Sequence, residues 1–250
     1  MTGSGFKDHF SQASSLYAAR RPTYPAALVD YLADLAPRTA LALDAGCGTG
    51  QLSGLLARRF DRVIATDASA AQIASAVPHE RVEYRVTPAQ ASGLDSGSVD
   101  LITVAQAAHW FDLEPFYAEV RRVARPGAVL ALVTYGILTI DETVDPVFAE
   151  FYWTVVGPYW PPERRHVEEG YRSLPFPFAE LEAPPLSIEL AWTLDALVGY
   201  LDTWSAVRAA EKALGASPVP AAREALARVW GDPARERPVR FPLSLRAGRV

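Results

Sequence analysis

A glycine-rich segment at residues 43–50, LDAGCGTG, is the part of the chain whose residue types best suit chemistry. Its glycines, Gly46, Gly48 and Gly50, let the backbone turn tightly and approach a ligand without side chains in the way. An apolar stretch precedes the segment and a helical pattern follows it. A loop that feeds a helix N-terminus in this way is a natural cradle for a nucleotide. The segment therefore predicts a site for a nucleotide-type cofactor.

Two acidic residues and the glycine spacing indicate which kind of nucleotide cofactor the segment would bind. The dinucleotide fingerprint G-x-G-x-x-G requires a third glycine at position 51, which is Gln51 here. Asp44 lies two residues before Gly46, where it can accept from the ammonium of a methionine moiety but would repel a pyrophosphate. Asp67 ends the next apolar stretch, and a carboxylate there can accept from both hydroxyls of a ribose. An NAD enzyme would use Asp67 similarly, so Asp44 and the glycine spacing distinguish the two cofactors.

The G-x-G-x-G spacing preceded by Asp44 resembles motif I of the class I S-adenosylmethionine-dependent methyltransferases. This resemblance implies S-adenosylmethionine as the cofactor and S-adenosylhomocysteine as the product. It also implies an adenine contact after the third strand, where Gln90 replaces the Glu or Asp common in the family. The cofactor-binding residues that it implies are Asp44, Gly46, Cys47, Gly48, Gly50, Asp67, Ala68, Ala89, Gln90 and Gln106.

Further segments resemble the small-molecule branch of that family, whose best-known members are the trans-aconitate methyltransferases. They are residues 105–112 (AQAAHWFD), 160–164 (WPPER) and 174–178 (LPFPF), together with Tyr17, Arg20 and Arg21 near the start. The resemblance extends over nearly the whole chain and implies an enzyme that methylates a small molecule.

The methyl acceptor is less well defined, and two chemistries stay open. A carboxylate acceptor is already nucleophilic and needs only to be held, for which Arg20, Arg21 and Arg164 are candidates. A hydroxyl or a carbon acid, such as a quinone-like ring, would need a general base, for which His109 is the candidate. Tyr17 and His166 are further candidates. Cysteine and histidine spacing predicts no metal site.

The elements that position these residues follow from hydrophobic periodicity. Strands are predicted at residues 40–43, 62–66, 82–86, 99–104, 128–133, 186–192 and 239–245. Helices are predicted at 25–36, 51–60, from Ser69, at 113–124, near Pro146, and at 194–207 and 221–230. Strand–helix alternation predicts an α/β fold, a Rossmann-like doubly wound sheet of seven strands. The sheet is expected to be mostly parallel, with an antiparallel last strand.

The pattern is interrupted between residues 137 and 185, which hold eight of the 20 prolines and nine of the 26 aromatic residues. Such a shift marks an inserted Pro/aromatic-rich cap. We therefore expect one methyltransferase domain over residues 1–250. Its parts are a lid and first helix (1–36), a cofactor-binding core (37–136), a substrate cap (137–185) and the completion of the sheet (186–250).

Composition limits partners and location. The 24 basic and 29 acidic residues give a net charge of −5, which offers no basic surplus for nucleic acid. Cys47 is the one cysteine, so no intramolecular disulfide forms. No signal-peptide profile opens the chain and no apolar run is long enough for a membrane span, so we expect a cytoplasmic protein. An NAD-dependent oxidoreductase and a binding module without turnover are alternative functions, and the oligomeric state is left open.

Overall fold

The computed structural model describes residues 22–250. Tyr17, Arg20, Arg21 and most of the predicted lid segment lie outside the described residues. Eight strands form one sheet in this part of the chain. They are β1 (Leu41–Ala45), β2 (Arg62–Asp67), β3 (Val82–Val86), β4 (Val99–Ala105), β5 (Ala124–Tyr135), β6 (Ala179–Leu181), β7 (Leu186–Trp192) and β8 (Arg237–Arg249).

The first five strands are parallel and lie in the order β3-β2-β1-β4-β5. β1, β4 and the second half of β5 are almost entirely buried, as expected for strands covered on both faces by helices. The chain runs outward from β1 to β3 and then returns to the other side of β1 with β4. This reversal leaves a crevice between the carboxyl ends of β1 and β4, where α/β sheets bind ligands.

The last strand, β8, is antiparallel to β5, as predicted. It lies one position inside the edge of the sheet, because β6 and β7 pair with its other side. Leu243 of β8 faces Tyr135 of β5 and Leu186 of β7, so β6 and β7 share the outer position. The α/β fold with a mostly parallel, Rossmann-like sheet is therefore confirmed, with seven positions across the sheet.

Nine α-helices flank the sheet in residues 22–250. They are α1 (Ala26–Leu35), α2 (Ser53–Leu56), α3 (Ala70–Ala74), α4 (Leu113–Val123), α5 (Asp145–Glu150), α6 (Arg164–Glu168), α7 (Leu194–Leu201), α8 (Ser205–Leu214) and α9 (Val219–Trp230). A short 3₁₀ turn, Ala108–Trp110, follows β4, and a single π-helical turn, Phe151–Val155, follows α5.

Two helix predictions were wrong in extent. The helix predicted over 51–60 is regular only in α2, because the amides of Arg58 and Arg59 bond to carbonyls three residues back and tighten the turn. The helix predicted over 194–207 is two helices. Thr203 ends α7 by donating its hydroxyl to the Tyr200 carbonyl at 2.6 Å, and α8 begins at Ser205.

The insert at residues 137–185 is joined to the rest of the fold through aromatic packing. Phe148, Phe151, Tyr152 and Trp160 surround Trp204 with ring centroids 5.4–6.1 Å apart. These rings belong to the larger of two buried clusters, one on each face of the sheet. None of the helices in residues 22–250 is long and apolar enough to cross a bilayer.

Candidate functional site

A cavity of about 690 Å³ opens at the carboxyl ends of β1, β2 and β4. Nine of the ten predicted cofactor residues line it. They are Asp44, Gly46, Cys47, Gly48, Asp67, Ala68, Ala89, Gln90 and Gln106. The exception, Gly50, does not line the cavity. Residues predicted from four separate segments thus meet at one site.

The glycines of the loop are required by backbone conformation and by close packing. Gly46, Gly48 and Gly50 have φ values of 69°, 57° and 86°, which disfavour other residues. A Cβ on Gly46 would lie 2.6 Å from the Cβ of Ala107. A Cβ on Gly50 would lie 2.2 Å from the Tyr84 hydroxyl oxygen, so Gly50 serves packing against β3. The amides of Gly46 and Cys47 both donate to the Thr66 carbonyl, at 2.7 and 2.9 Å, and tie the loop to β2.

The Asp67 carboxylate is held between the glycine loop and the start of α3. Its Oδ2 accepts from the Gly48 amide at 2.9 Å and its Oδ1 accepts from the Ser69 amide at 2.8 Å. Each oxygen keeps a further lone pair, and Asp67 lines the cavity. The carboxylate is thereby oriented to accept from a pair of vicinal hydroxyls.

Asp44 is 1% exposed and lies beneath the glycine loop. Its Oδ2 accepts from the Ser53 hydroxyl at 2.6 Å and its Oδ1 accepts from the Thr103 hydroxyl at 2.8 Å. Burial raises the pKa of Asp44 to about 6, and the bonds from Ser53 and Thr103 oppose that rise. A cationic group in the cavity would stabilise the ionised form of this carboxyl.

Three polar side chains of the cavity wall were missed by the sequence analysis. Thr49 Oγ1, Gln72 Oε1 and Thr87 Oγ1 are buried and have no hydrogen-bond partner among the described residues. Ser69 does begin the predicted helix, because its hydroxyl accepts from the Gln72 amide at 3.4 Å, as in the first half of a capping box. The Gln72 side chain contributes nothing to that cap, since the Ser69 amide donates to Asp67 instead. Unpaired buried polar atoms are costly, so these three suit a polar ligand.

Gln106 directly follows β4 and has a strained backbone conformation, with a φ of 57°. Its side chain donates to the Tyr135 carbonyl at 2.9 Å and accepts from the Thr134 hydroxyl at 2.7 Å. Both bonds fasten the end of β4 to β5 and fix the backbone where the cavity begins. Such outliers cost about 1–3 kcal/mol and cluster at functional sites.

The wall facing the glycine loop is aromatic and includes His109. Tyr24, Tyr135, Trp110 and Phe111 line it, and the rings of Tyr24 and Tyr135 lie 6.2 Å apart. His109 packs on Trp110, and its Nδ1 lies 2.9 Å from the Tyr171 hydroxyl. Burial, with smaller contributions from the charges of Arg164 and His166, lowers the pKa of His109 to about 3. The imidazole is therefore neutral at physiological pH and a weak base.

Two other candidates lie away from the cavity lining. Arg164 donates to the Tyr152 hydroxyl at 2.8 Å, packs over the Trp160 ring at 4.6 Å and faces Glu168 at 4.0 Å. These polar contacts engage Nε, and Arg164 does not line the cavity, so its role as a carboxylate clamp stays a prediction. His166 pairs with the Ser173 hydroxyl at 2.8 Å. Glu163, which was not predicted, does line the cavity.

The fold and the site together define a class of protein. A doubly wound sheet presents a glycine loop, an oriented acid at the end of β2 and unpaired polar atoms to one cavity at the switch point. This is the arrangement of an α/β enzyme that binds a nucleoside cofactor.

Comparison with known proteins identifies the family within that class. Residues 43–132 match the family model of a methyltransferase domain. A protein of Dictyostelium discoideum named as a methyltransferase is 35% identical over 233 residues, which cover 92% of this chain and 89% of that protein. A solved structure described as a type II methyltransferase from Anaeromyxobacter dehalogenans is 54% identical to this chain and superimposes with a TM-score of 0.88. The alignment covers 92% of this chain and 97% of the chain in that structure. The chain belongs to the S-adenosylmethionine-dependent methyltransferases.

The family assignment confirms the predicted enzyme class and its cofactor, S-adenosylmethionine. The residues present fit that cofactor: Asp67 can accept from a pair of hydroxyls, and Thr49, Gln72 and Thr87 offer unpaired polar atoms. This assignment replaces the alternative function of an NAD-dependent oxidoreductase. The resemblance to the trans-aconitate branch stays a prediction, because the names of these two relatives specify a methyltransferase but not its methyl acceptor.

Proposed function

We propose that this enzyme transfers the methyl group of S-adenosylmethionine to a carboxylate oxygen of a small molecule. The observation that carries the proposal is the state of His109, the one imidazole among the described residues that line the cavity. A general base works best when its pKa lies near the working pH, and the pKa of His109 is far lower. A carboxylate acceptor is ionised at neutral pH and requires no base.

The cofactor supplies an electrophilic methyl group on a sulfonium. We assign Asp67 to the ribose hydroxyls and Asp44 to the ammonium end of the cofactor. The assignment rests on the lone pairs that Asp67 directs at the cavity and on the buried, cavity-facing position of Asp44. Thr49, Gln72 and Thr87 provide the remaining polar contacts.

The acceptor would bind against the aromatic wall formed by Tyr24, Trp110 and Tyr135. Attack on a sulfonium brings opposite charges together, so water retards it, and a site walled by rings excludes water. We expect the acceptor's charge to be met by Arg20 and Arg21, which precede Pro22 of the cavity wall in the chain and lie outside the described residues. A lid made of the amino-terminal segment and the insert stays a prediction.

A second candidate is C-methylation of a quinone-like ring. The aromatic wall suits a flat ring, and the Glu163 carboxylate at the cavity is a candidate base for a ring hydroxyl. Glu163 is also the group that separates the two candidates. A base is essential for ring methylation and unnecessary for a carboxylate.

The test is transfer from S-[methyl-³H]adenosylmethionine to matched acceptors, namely small polycarboxylates, aromatic monocarboxylates and hydroquinones. A methyl ester releases labelled methanol in mild alkali, whereas a C-methyl product keeps its label. We expect an alkali-labile product, with activity retained in Glu163→Gln and lost in Arg20→Gln or Arg21→Gln. The exposed Arg38→Gln is the matched control. An alkali-stable product that is lost in Glu163→Gln would overturn the carboxylate proposal and support base-assisted methylation of a hydroquinone.

A further inference from the structure

Two consecutive left-handed residues, Gly170 and Tyr171, follow helix α6 in the insert. Their φ values are 61° and 63°. A Cβ on Gly170 would lie 2.5 Å from the Ser244 hydroxyl oxygen of β8, so glycine is required there. A left-handed tyrosine, by contrast, is strained and must be held by its surroundings.

The sheet and the insert hold this turn from both sides. Arg246 of β8 donates from Nη1 to the carbonyls of Tyr171 and Leu174, at 2.9 and 2.7 Å. Its guanidinium also pairs with Glu180 and packs over the Phe176 ring at 4.7 Å. The Tyr171 amide donates to the His166 carbonyl at 2.7 Å. Contacts from β8 and from the insert thus hold the strained conformation.

The result of this conformation is that the Tyr171 phenol reaches His109. Tyr171 is fully buried, and its hydroxyl lies 2.9 Å from Nδ1 of His109. His109 lines the cavity, and its Nε2 has no hydrogen-bond partner among residues 22–250. The contact therefore occupies one ring nitrogen and leaves the other to a ligand in the cavity.

The direction of the proton in the contact between Tyr171 and His109 decides the tautomer of His109. Burial raises the pKa of Tyr171 well above its usual value, so the phenol keeps its proton. A hydrogen bond to the Thr134 side chain, the charge of Arg164 and the backbone N–H groups of Ala108 and His109 oppose that rise in pKa. The 2.9 Å contact can carry the phenol proton to Nδ1, and in that arrangement the imidazole proton resides on Nε2.

We propose that Tyr171 is a positioning residue that holds His109 as the Nε2–H tautomer, with this N–H directed at the non-attacking oxygen of the acceptor carboxylate. The role in acceptor binding rests on the function proposed above. The tautomer itself depends only on the contact between the two side chains.

The first test is a ¹⁵N NMR spectrum of the full-length protein labelled at its four histidines, with His109→Gln used to assign the signal of His109. We expect a protonated Nε2 and a hydrogen-bonded, unprotonated Nδ1, which Tyr171→Phe converts to a mixture of tautomers. A protonated Nδ1 in the wild type, or an unchanged spectrum in Tyr171→Phe, would overturn the proposal. This result does not depend on knowing the acceptor.

The second test is steady-state kinetics of Tyr171→Phe with the best carboxylate of the acceptor panel. We expect kcat to fall about tenfold while the KM for S-adenosylmethionine stays within twofold, because a loosely oriented donor affects the methyl transfer step. Tyr117→Phe is the matched control, since Tyr117 is buried, donates to the Pro175 carbonyl at 2.6 Å and does not line the cavity. Equal losses in the two variants would show that Tyr171 has only a structural role. If no carboxylate is turned over while the spectrum shows the expected tautomer, the proposed acceptor fails and the Tyr171–His109 pair stands.

Discussion

At the scale of single residues, Asp67 and Asp44 lie in different surroundings and are expected to affect cofactor binding differently. Asp67 accepts from two backbone amides and faces the cavity, whereas Asp44 is enclosed by two hydroxyls. The first carboxylate is held ready to accept further hydrogen bonds. Burial raises the pKa of Asp44 to about 6.

Asp67→Ala should weaken binding of S-adenosylhomocysteine by about 2–3 kcal/mol, since it removes two charge-assisted hydrogen bonds from a partly buried ligand. Calorimetric titration measures this loss. Asp61→Ala, an exposed acid just before β2, should bind like the wild type. An affinity of Asp67→Ala within twofold of the wild type would mean that the ribose is held elsewhere.

The affinity for S-adenosylhomocysteine should depend on pH through Asp44. Because the pKa of Asp44 in the free enzyme is about 6 and the ligand ammonium favours the ionised form, binding should strengthen as pH rises through 6 and then level off. Below that pH we expect a loss approaching about tenfold per pH unit. Titrations between pH 5 and 8 measure the profile, and Asp44→Asn should flatten it. A wild-type profile that is level across this range would contradict the assignment of Asp44.

The same group affects stability in the opposite sense. The folded enzyme without cofactor keeps a proton on Asp44 that the unfolded chain releases near pH 4. Its stability against urea should therefore fall as pH rises from about 4 to about 6, by up to about 3 kcal/mol from this residue. The difference between wild type and Asp44→Asn isolates that contribution.

At the scale of elements, the glycine loop and the helix after it offer a matched pair of substitutions. Gly46→Ala should lower the free energy of unfolding by about 2–4 kcal/mol, because the new Cβ meets Ala107 and the backbone is left-handed. Gly54→Ala in α2 should instead raise it by about 0.5–1 kcal/mol, because its Cβ meets nothing within 4 Å and alanine favours a helix. Urea unfolding followed by circular dichroism compares the two variants. Equal effects would show that the tight approach at Gly46 is relaxed in solution.

The boundaries of strands and helices were predicted correctly where they follow a local hydrophobic pattern. They were predicted wrongly where a side-chain hydrogen bond interrupts a helix. The limits of β3 and β7 agree with the periodicity, because alternation over five to seven residues is a property of the segment itself. At the break between α7 and α8, the Thr203 hydroxyl donates back to the Tyr200 carbonyl of α7. Apolar spacing continues through that break, so periodicity carried no sign of it.

At the scale of the whole molecule, β8 joins the second half of the chain to the first. It pairs with β5 on one side and with β6 and β7 on the other, so the insert and the carboxyl-terminal region share one sheet with the cofactor loop. Residues of the insert and of β1, β5 and β8 also belong to one buried cluster. Separation of the halves would expose that cluster.

We therefore expect residues 22–250 to unfold in urea as one cooperative unit. Five of the six tryptophans lie after residue 150, so their fluorescence reports mainly on the second half, whereas far-ultraviolet circular dichroism reports on the whole sheet. The two midpoints should coincide. A fluorescence transition clearly separated from the circular dichroism transition would show that the insert and carboxyl-terminal region unfold independently.

Local patterns in the sequence were sufficient to predict the α/β class and the cofactor. The glycine spacing with Asp44 and the strand–helix alternation are local patterns that can be read within a few residues, whereas Asp67 alone would suit either cofactor. The side-chain contacts within the site depend on the tertiary structure. Thr103 meets Asp44 across 59 residues, Tyr171 meets His109 across 62, and Gly50 packs under Tyr84 instead of lining the cavity. These contacts depend on how distant segments pack together, and a residue's own neighbours in the chain carry no signal of a partner that folding brings from elsewhere.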